Sequence, residues 1–201
     1  MKVILGTNNL HKLEEFKEIF KQNNINIELV SLKELNMKID EPCEDGKTFY
    51  ENALIKAKYY YDYYKIPVIA DDSGICCNAL GGLPGIYSAR YASTDGSNSN
   101  SIDNLKKLIY DMKNYEDRSA YFECSIVYYD GNEVINGNGK FYGEIMTEEK
   151  GSNGFGYDPI FYLKEYGKTV SELDSALKNK LSHRYQAIMD FIKKYQNKTK
   201  K

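Results

Sequence analysis

The order of elements predicts a mixed α/β domain with a long central sheet. Three observations carry this. The chain opens as strand, tight polar loop, helix. Its middle holds two long aromatic and β-branched segments joined by a turn. Segments with one apolar helical face stand between and after the strands.

Taken in order, Lys2 to Gly6 (KVILG) reads as a short buried strand, broken by TNN. LHKLEEFKEIFKQ then places Leu13, Phe16, Ile19 and Phe20 on one helical face. TFYENALIKAKYYYDYYK is a second helix, with Thr48 and Glu51 at the spacing of a capping box. The tyrosines of KYYYDYYK surround it, so some are expected to face a partner or a second lobe. IPVIADD is a strand with Pro67 at its start and Asp71 and Asp72 at its end. After the polar stretch Ser97 to Asn104, SIDNLKKLIYDMK puts Ile102, Leu105, Ile109 and Met112 on one face. SAYFECSIVYYDGNEVINGNGKFYGEIM reads as two long strands with a hairpin turn at DGN. EEKGSNGFGYDP is a loop and IFYL a short strand. Ser171 and Ser182 read as N-caps of two final helices.

The totals exclude several classes. With 201 residues, 42% of them hydrophobic, one domain (residues 1–201) is expected. A formal net charge of −2 argues against a nucleic-acid binder. No apolar run approaches the roughly 18 residues that span a membrane. The four cysteines (Cys43, Cys76, Cys77, Cys124) lack C-x-x-C spacing, so a reduced, cytoplasmic protein is expected.

Four polar groups carry chemistry, and each also has a plainer reading. GTNNLHK lies between a strand and a helix, where free N–H groups and the dipole attract anions. Thr7 and Asn9 add donors, and Lys12 in the first turn opposes the dipole unless an anion is near. More plainly, Asn9 caps the helix and Lys12 is solvated. DEPCEDGKTFYEN concentrates acids in a loop, as suits a hard cation that takes one or two carboxylates plus substrate phosphates. Acids also simply suit a helix start. Asp71 and Asp72 are adjacent, so strand alternation turns them to opposite faces. Asp72 is expected to work at the site and Asp71 to brace the turn, while Arg90 either pairs with Asp71 or reaches across a contact with a second copy. More plainly, the two form a charged turn. GFGYDP sets Phe155, Gly156, Tyr157 and Asp158 as an aromatic platform with an acceptor, suited to a planar base. Lys178 precedes SHR, which puts His183 and Arg184 at the positive end of the last helix, a poor place for cations without an electron-rich ligand. Solvent-exposed charge is the plainer reading. Together these supply an anion cradle, a hard-cation site, a carboxylate base and an aromatic slot.

The segments ILGTNNLHKLEEF, EDGKTFYENALIKA, ADDSGICCNALGGLPGIYSARYA, GFGYDPIF and SHRYQA resemble the inosine triphosphate pyrophosphatase family, in its order and over nearly the whole chain. The resemblance implies hydrolysis of ITP, dITP and XTP to the monophosphate and pyrophosphate, with Mg2+ or Mn2+. It implies a long curved mixed sheet with helices forming two lobes around a central cleft, and a homodimer. By position, Thr7, Asn8, Asn9 and Lys12 fall in the phosphate-binding loop. Asp72 matches the catalytic acid and metal ligand, and Ser73 a substrate contact. Phe155 to Asp158 match the base-side loop, and Lys178, His183 and Arg184 further substrate contacts. Many relatives place two adjacent acids before the turn where this chain has Cys43-Glu44, which makes Glu44 the second metal ligand.

Pyrophosphate release requires water to attack the α-phosphorus, a transfer that rests on positioning and charge neutralisation. Asp72 is expected to orient or deprotonate that water. Lys12 and the loop amides are expected to stabilise the developing charge. Arg184 and His183 would donate to the purine C6 carbonyl, which adenine lacks. The competing readings are a pyrophosphatase for other nucleotides and a non-catalytic nucleotide-binding module.

Overall fold

The computed structural model describes residues 1–35 and 39–199. Its strands are β1 (Lys2–Leu5), β2 (Glu28–Ser31), β3 (Val68–Cys77), β4 (Ser119–Tyr129), β5 (Val134–Ile145), β6 (Phe161–Leu163) and β7 (Lys168–Thr169). They form one sheet in the order β2-β1-β3-β4-β5-β6-β7. Its β2-β1-β3 side is parallel and its β5-β6-β7 side antiparallel. The helices are α1 (Leu10–Gln22), α2 (Phe49–Tyr64), α3 (Ser101–Met112), α4 (Ser175–Leu181) and α5 (His183–Thr199). The expected mixed α/β class is the one observed. Among the described residues no helix is long and apolar enough to cross a membrane.

The chain divides into two compact units. The first is Met1–Asp72, Cys124–Gly139 and Arg184–Lys201; the second is Ser73–Glu123 and Lys140–His183. In the first unit, side-chain alternation gives each sheet face its own helices. Val3, Leu5, Ile69, Cys124, Ile126 and Tyr128 pack with Leu13, Phe16, Ile19 and Phe20 of α1 and Ala187, Ile188, Phe191 and Ile192 of α5. The intervening residues Ile4, Val68, Ala70 and Val127 pack with Ala53, Ala57 and Tyr60 of α2. In the second unit Leu105, Leu108 and Met112 of α3 pack with Ile75, Cys77, Phe122 and Phe161.

Local chemistry fixes the helix starts. Asn9 has extended backbone, and its side chain accepts from the N–H groups of His11 and Lys12. Thr48 Oγ1 accepts from Glu51 N, but the Glu51 carboxylate accepts from Lys47 N, so the expected reciprocal box closes one residue early. The tyrosines of α2 divide: Tyr60 is buried, Tyr61 packs on Tyr129, and Tyr59 and Tyr63 are exposed.

Several expectations need correction. β3 does not stop at Asp72 but runs five residues further, to Cys77. Gly74 permits this, because a Cβ there would meet Ser88 and lie 2.5 Å from the Gly85 carbonyl oxygen. The glycine-rich turn then folds back, with Cys77 N donating to Leu83 O at 3.0 Å and Cys76 bridging Pro84. On α3 the buried face is Leu105, Leu108 and Met112, while Ile102 is 54% exposed. Ser171 caps no helix. It is buried in a 3-10 turn capped by Thr169, and Asp174 caps α4 by accepting from Leu177 N. Arg90 lies over the Tyr87 ring.

Candidate active site

The pairing of β1 with β3 sets the site. Leu5 lies opposite Ile69, and Gly6 N donates to Ile69 O at 2.8 Å. β1 ends there while β3 continues, so the loop Gly6–Asn9 leaves the sheet beside the stretch that carries both aspartates. Within this loop Thr7 Oγ1 accepts from Asn9 N, and Asn8 donates to Glu41 at 3.0 Å.

Alternation then separates the two carboxylates. Asp71 continues the Ile69 face, between α1 and α5. Lys12 Nζ of α1 donates to both its oxygens, at 3.0 and 2.8 Å, and Arg184 Nε of α5 lies 3.8 Å away. Arg184 Nη1 also pairs with Glu15 at 3.2 Å. Lys12 and Arg184 both sit in the first turn of their helices, where the dipole disfavours a cation. Asp71 answers both, so Lys12 is not merely solvated, although Asn9 does cap α1. Asp71 is 3% exposed. Burial pushes its carboxyl up, but Lys12, Arg184 and Lys56 overcome this and hold it well below the usual range.

Asp72 continues the Ala70 face, toward α2. Asn52 Nδ2 donates to its Oδ2 at 3.0 Å, and Lys56 Nζ lies 3.7 Å from its Oδ1. The same ammonium is 3.2 Å from Glu44. Burial pushes the Asp72 carboxyl up, and here Lys56 and Asn52 fall short of reversing it, so it stays above the ordinary value. Burial lowers Lys56, yet Asp72, Asp71 and Glu44 raise it further, so it stays charged. Adjacent aspartates thus differ in kind. Two cations hold one below its ordinary value, and burial holds the other above it.

Glu44 and Lys56 also line a cavity of about 120 Å³, together with Gly6, Thr7, Asn8 and Tyr60. Among the described residues, no three His, Cys, Asp or Glu side chains converge to hold a metal ion. Glu44 and Asp72, already sharing one cation, are a donor set that suits Mg2+, which takes one or two carboxylates and completes its shell with phosphates and water.

The second unit carries the remaining residues. Ser73 is in β3, directly after Asp72. Phe155 is 73% exposed, and Lys178 Nζ lies 4.9 Å from its ring centroid. Lys178 donates to Asp158 Oδ2 at 2.7 Å, and Phe155 N donates to the same oxygen at 2.9 Å. Gly156 has φ 62°. Tyr157 turns inward, is buried, and donates its hydroxyl to Ser88 O at 2.8 Å. The exposed ring of this loop is therefore Phe155 alone. His183 stacks on Phe122, with centroids 5.0 Å apart.

Sequence reading missed Lys56, Asn52 and Glu15. The signal for the first two was present. Asn52, Lys56 and Tyr60 recur at four-residue intervals along the buried stripe of α2, where a lysine and an asparagine need partners. Glu15 gave no comparable signal, because a glutamate early in a helix is ordinary.

A dITP/XTP pyrophosphatase of Treponema denticola is 42% identical over 197 residues, covering 96% of this chain and 99% of that one. One of Clostridium perfringens is 46% identical over 196 residues, covering 93% of each. The solved Staphylococcus aureus Ham1 protein superposes with a TM-score of 0.86 at 37% identity over the full length of both chains. A HAM1 protein of Coxiella burnetii gives 0.87 at 35% identity, covering 94% and 95%. The Ham1 family model matches residues 3–194, and the chain belongs to the Ham1 family.

Proposed function

We propose that this chain hydrolyses deaminated purine nucleoside triphosphates (dITP, ITP and XTP) to the monophosphate and pyrophosphate. The observation that carries the reading is the Glu44–Lys56–Asp72 cluster, whose Glu44 and Lys56 line one cavity with Gly6, Thr7 and Asn8. It combines acids for a hard cation with fixed positive charge for a polyphosphate.

Glu44 and Asp72 would hold Mg2+, which when bound neutralises phosphate charge and polarises the phosphoryl group. Thr7, Asn8, Asn9 and Lys12 receive the phosphates. Asp72 would orient or deprotonate the attacking water, with Asn52 bonded to its Oδ2. The new bond is from water oxygen to the α-phosphorus. The bond broken leads to pyrophosphate, whose charge Lys12 and Lys56 meet.

Phe155 stacks on the base. Lys178 and Asp158 stand side by side as donor and acceptor. Hypoxanthine and xanthine present a C6 carbonyl and an N1–H, which match that pair; adenine presents the reverse, an amino group and a bare nitrogen. A buried mismatch of donors against donors discriminates strongly. His183 and Ser73 add further contacts, while the Arg184 guanidinium stays with Asp71 and Glu15. The chain acts in the cytoplasm as a homodimer. Asp72→Asn tests the reading: turnover of dITP falls about 1,000-fold with the fold intact, the scale of a lost general base. Retained turnover would remove Asp72 from the chemistry.

A further inference from the structure

Asn52 touches no reacting atom in the chemistry above, yet it is the most completely enclosed polar side chain of the cluster, with 0% exposure. Its amide makes two hydrogen bonds of opposite sense. Oδ1 accepts from Gly46 N at 2.9 Å, and Nδ2 donates to Asp72 Oδ2 at 3.0 Å. Its orientation admits no flip, since a backbone N–H only donates and a carboxylate only accepts. Gly46 lies two residues after Glu44. A Cβ on Gly46 would fall 2.6 Å from Asn52 Oδ1 and 2.7 Å from Glu51 Cβ, so the acid loop is drawn hard against the helix. One turn further along α2, Lys56 meets Glu44 and Asp72 from the same side.

We infer that Asn52 is a positioning residue: its amide fixes the spacing between the Glu44 loop and Asp72, and turns Asp72 Oδ1 toward Lys56 and the metal position. This rests on the reading of Glu44 and Asp72 given above. Helix α2 then grips the two acids at two points four residues apart, one neutral and bidirectional, the other charged. Mutation of groups that orient metal-binding side chains typically lowers metal affinity or activity about 10- to 100-fold.

A matched control exists in the second unit. Asn104 of α3 is 3% exposed, accepts from Ala92 N at 2.7 Å and donates to Ala89 O at 3.2 Å. It ties a loop to a helix in the same way, with no acid attached. The experiment compares Asn52→Leu and Asn104→Leu for thermal midpoint, for kcat and KM on dITP, and for binding of Mn2+ alone to nucleotide-free enzyme by electron paramagnetic resonance. We expect both to lower the midpoint, with only Asn52→Leu weakening Mn2+ binding and cutting kcat, each by roughly 10- to 100-fold. Should Asn52→Leu fail to fold, Asn52→Asp replaces it. That variant keeps the acceptor for Gly46 but sets a carboxylate against Asp72, and the same loss of kcat is expected in a folded protein. A folded Asn52 variant with kcat and Mn2+ affinity within about threefold of the parent would overturn the inference, being below the range for such groups. Asp72→Asn, run alongside, separates the two failures. If it retains turnover, the reading of Asp72 is lost; if it alone is inactive, only the positioning role is.

Discussion

At the scale of single residues, Asp71 and Asp72 make opposite demands on the fold. Asp71 holds a folded-state carboxyl below its unfolded value near 3.8, so its contribution is complete above that pH and is lost as pH falls below it. Asp71→Asn leaves Lys12 and Arg184 facing a neutral group, at a cost of about 3 kcal/mol. For a chain of this size that lowers the thermal midpoint by roughly 6–12 °C. The gap between parent and variant stays level from pH 7 to pH 5 and closes only below about pH 4. Asp72 carries the reverse sign. Its carboxyl is raised on folding, so its charge is unfavourable at neutral pH, and Asp72→Asn leaves the midpoint unchanged or higher while removing turnover. Thermal melts of both variants between pH 3 and pH 7 check the pair. Phe155 gives a third residue-level prediction. Its ring is mostly exposed, so Phe155→Ala changes the midpoint little but raises KM for dITP by roughly 10-fold, the scale of one lost stacking contact.

Among the elements, α2 and β3 decide the site. β1, α1, α2 and the β4–β5 hairpin are legible in the sequence, because their apolar spacing, caps and turn residues all agree. The alternation that splits Asp71 from Asp72 is legible too. The length of β3 is not. ADDSGICC reads as a strand followed by a turn, since two acids, a serine and a glycine usually end one. The strand continues because partners distant in the chain absorb each charge: Lys12 and Arg184 on one face, Asn52 and Lys56 on the other. Such pairings carry no local signature. Ser171 misleads for a related reason: Thr169 and Asp174, on either side of it, already cap the turn and helix there. Gly74 tests the account of β3. Gly74→Ala forces a Cβ into Ser88 and the Gly85 carbonyl, and backbone-level overpacking of this kind destabilises by about 1–3 kcal/mol. Urea denaturation of the variant, read against the parent, measures it.

Over the whole molecule, three distant parts of the chain meet on Asp71: residue 12, residue 71 and residue 184. The first unit is therefore assembled from both ends of the sequence, with α1 and α5 held to one carboxylate. Phe155, Asp158 and Lys178, proposed to meet the base, belong to the second unit and are organised around their own ion pair. Homodimer formation is checked by sedimentation at micromolar concentration, where a single species of twice the chain mass is expected. The most direct test of the central claim is steady-state hydrolysis of dITP beside dATP, with separate detection of pyrophosphate and orthophosphate, in Mg2+ and again in excess chelator. The prediction is one pyrophosphate per dITP consumed, no orthophosphate, loss of turnover in chelator, and a kcat/KM for dATP lower by about 100-fold or more. Orthophosphate as the product, or equal rates on the two nucleotides, would contradict it.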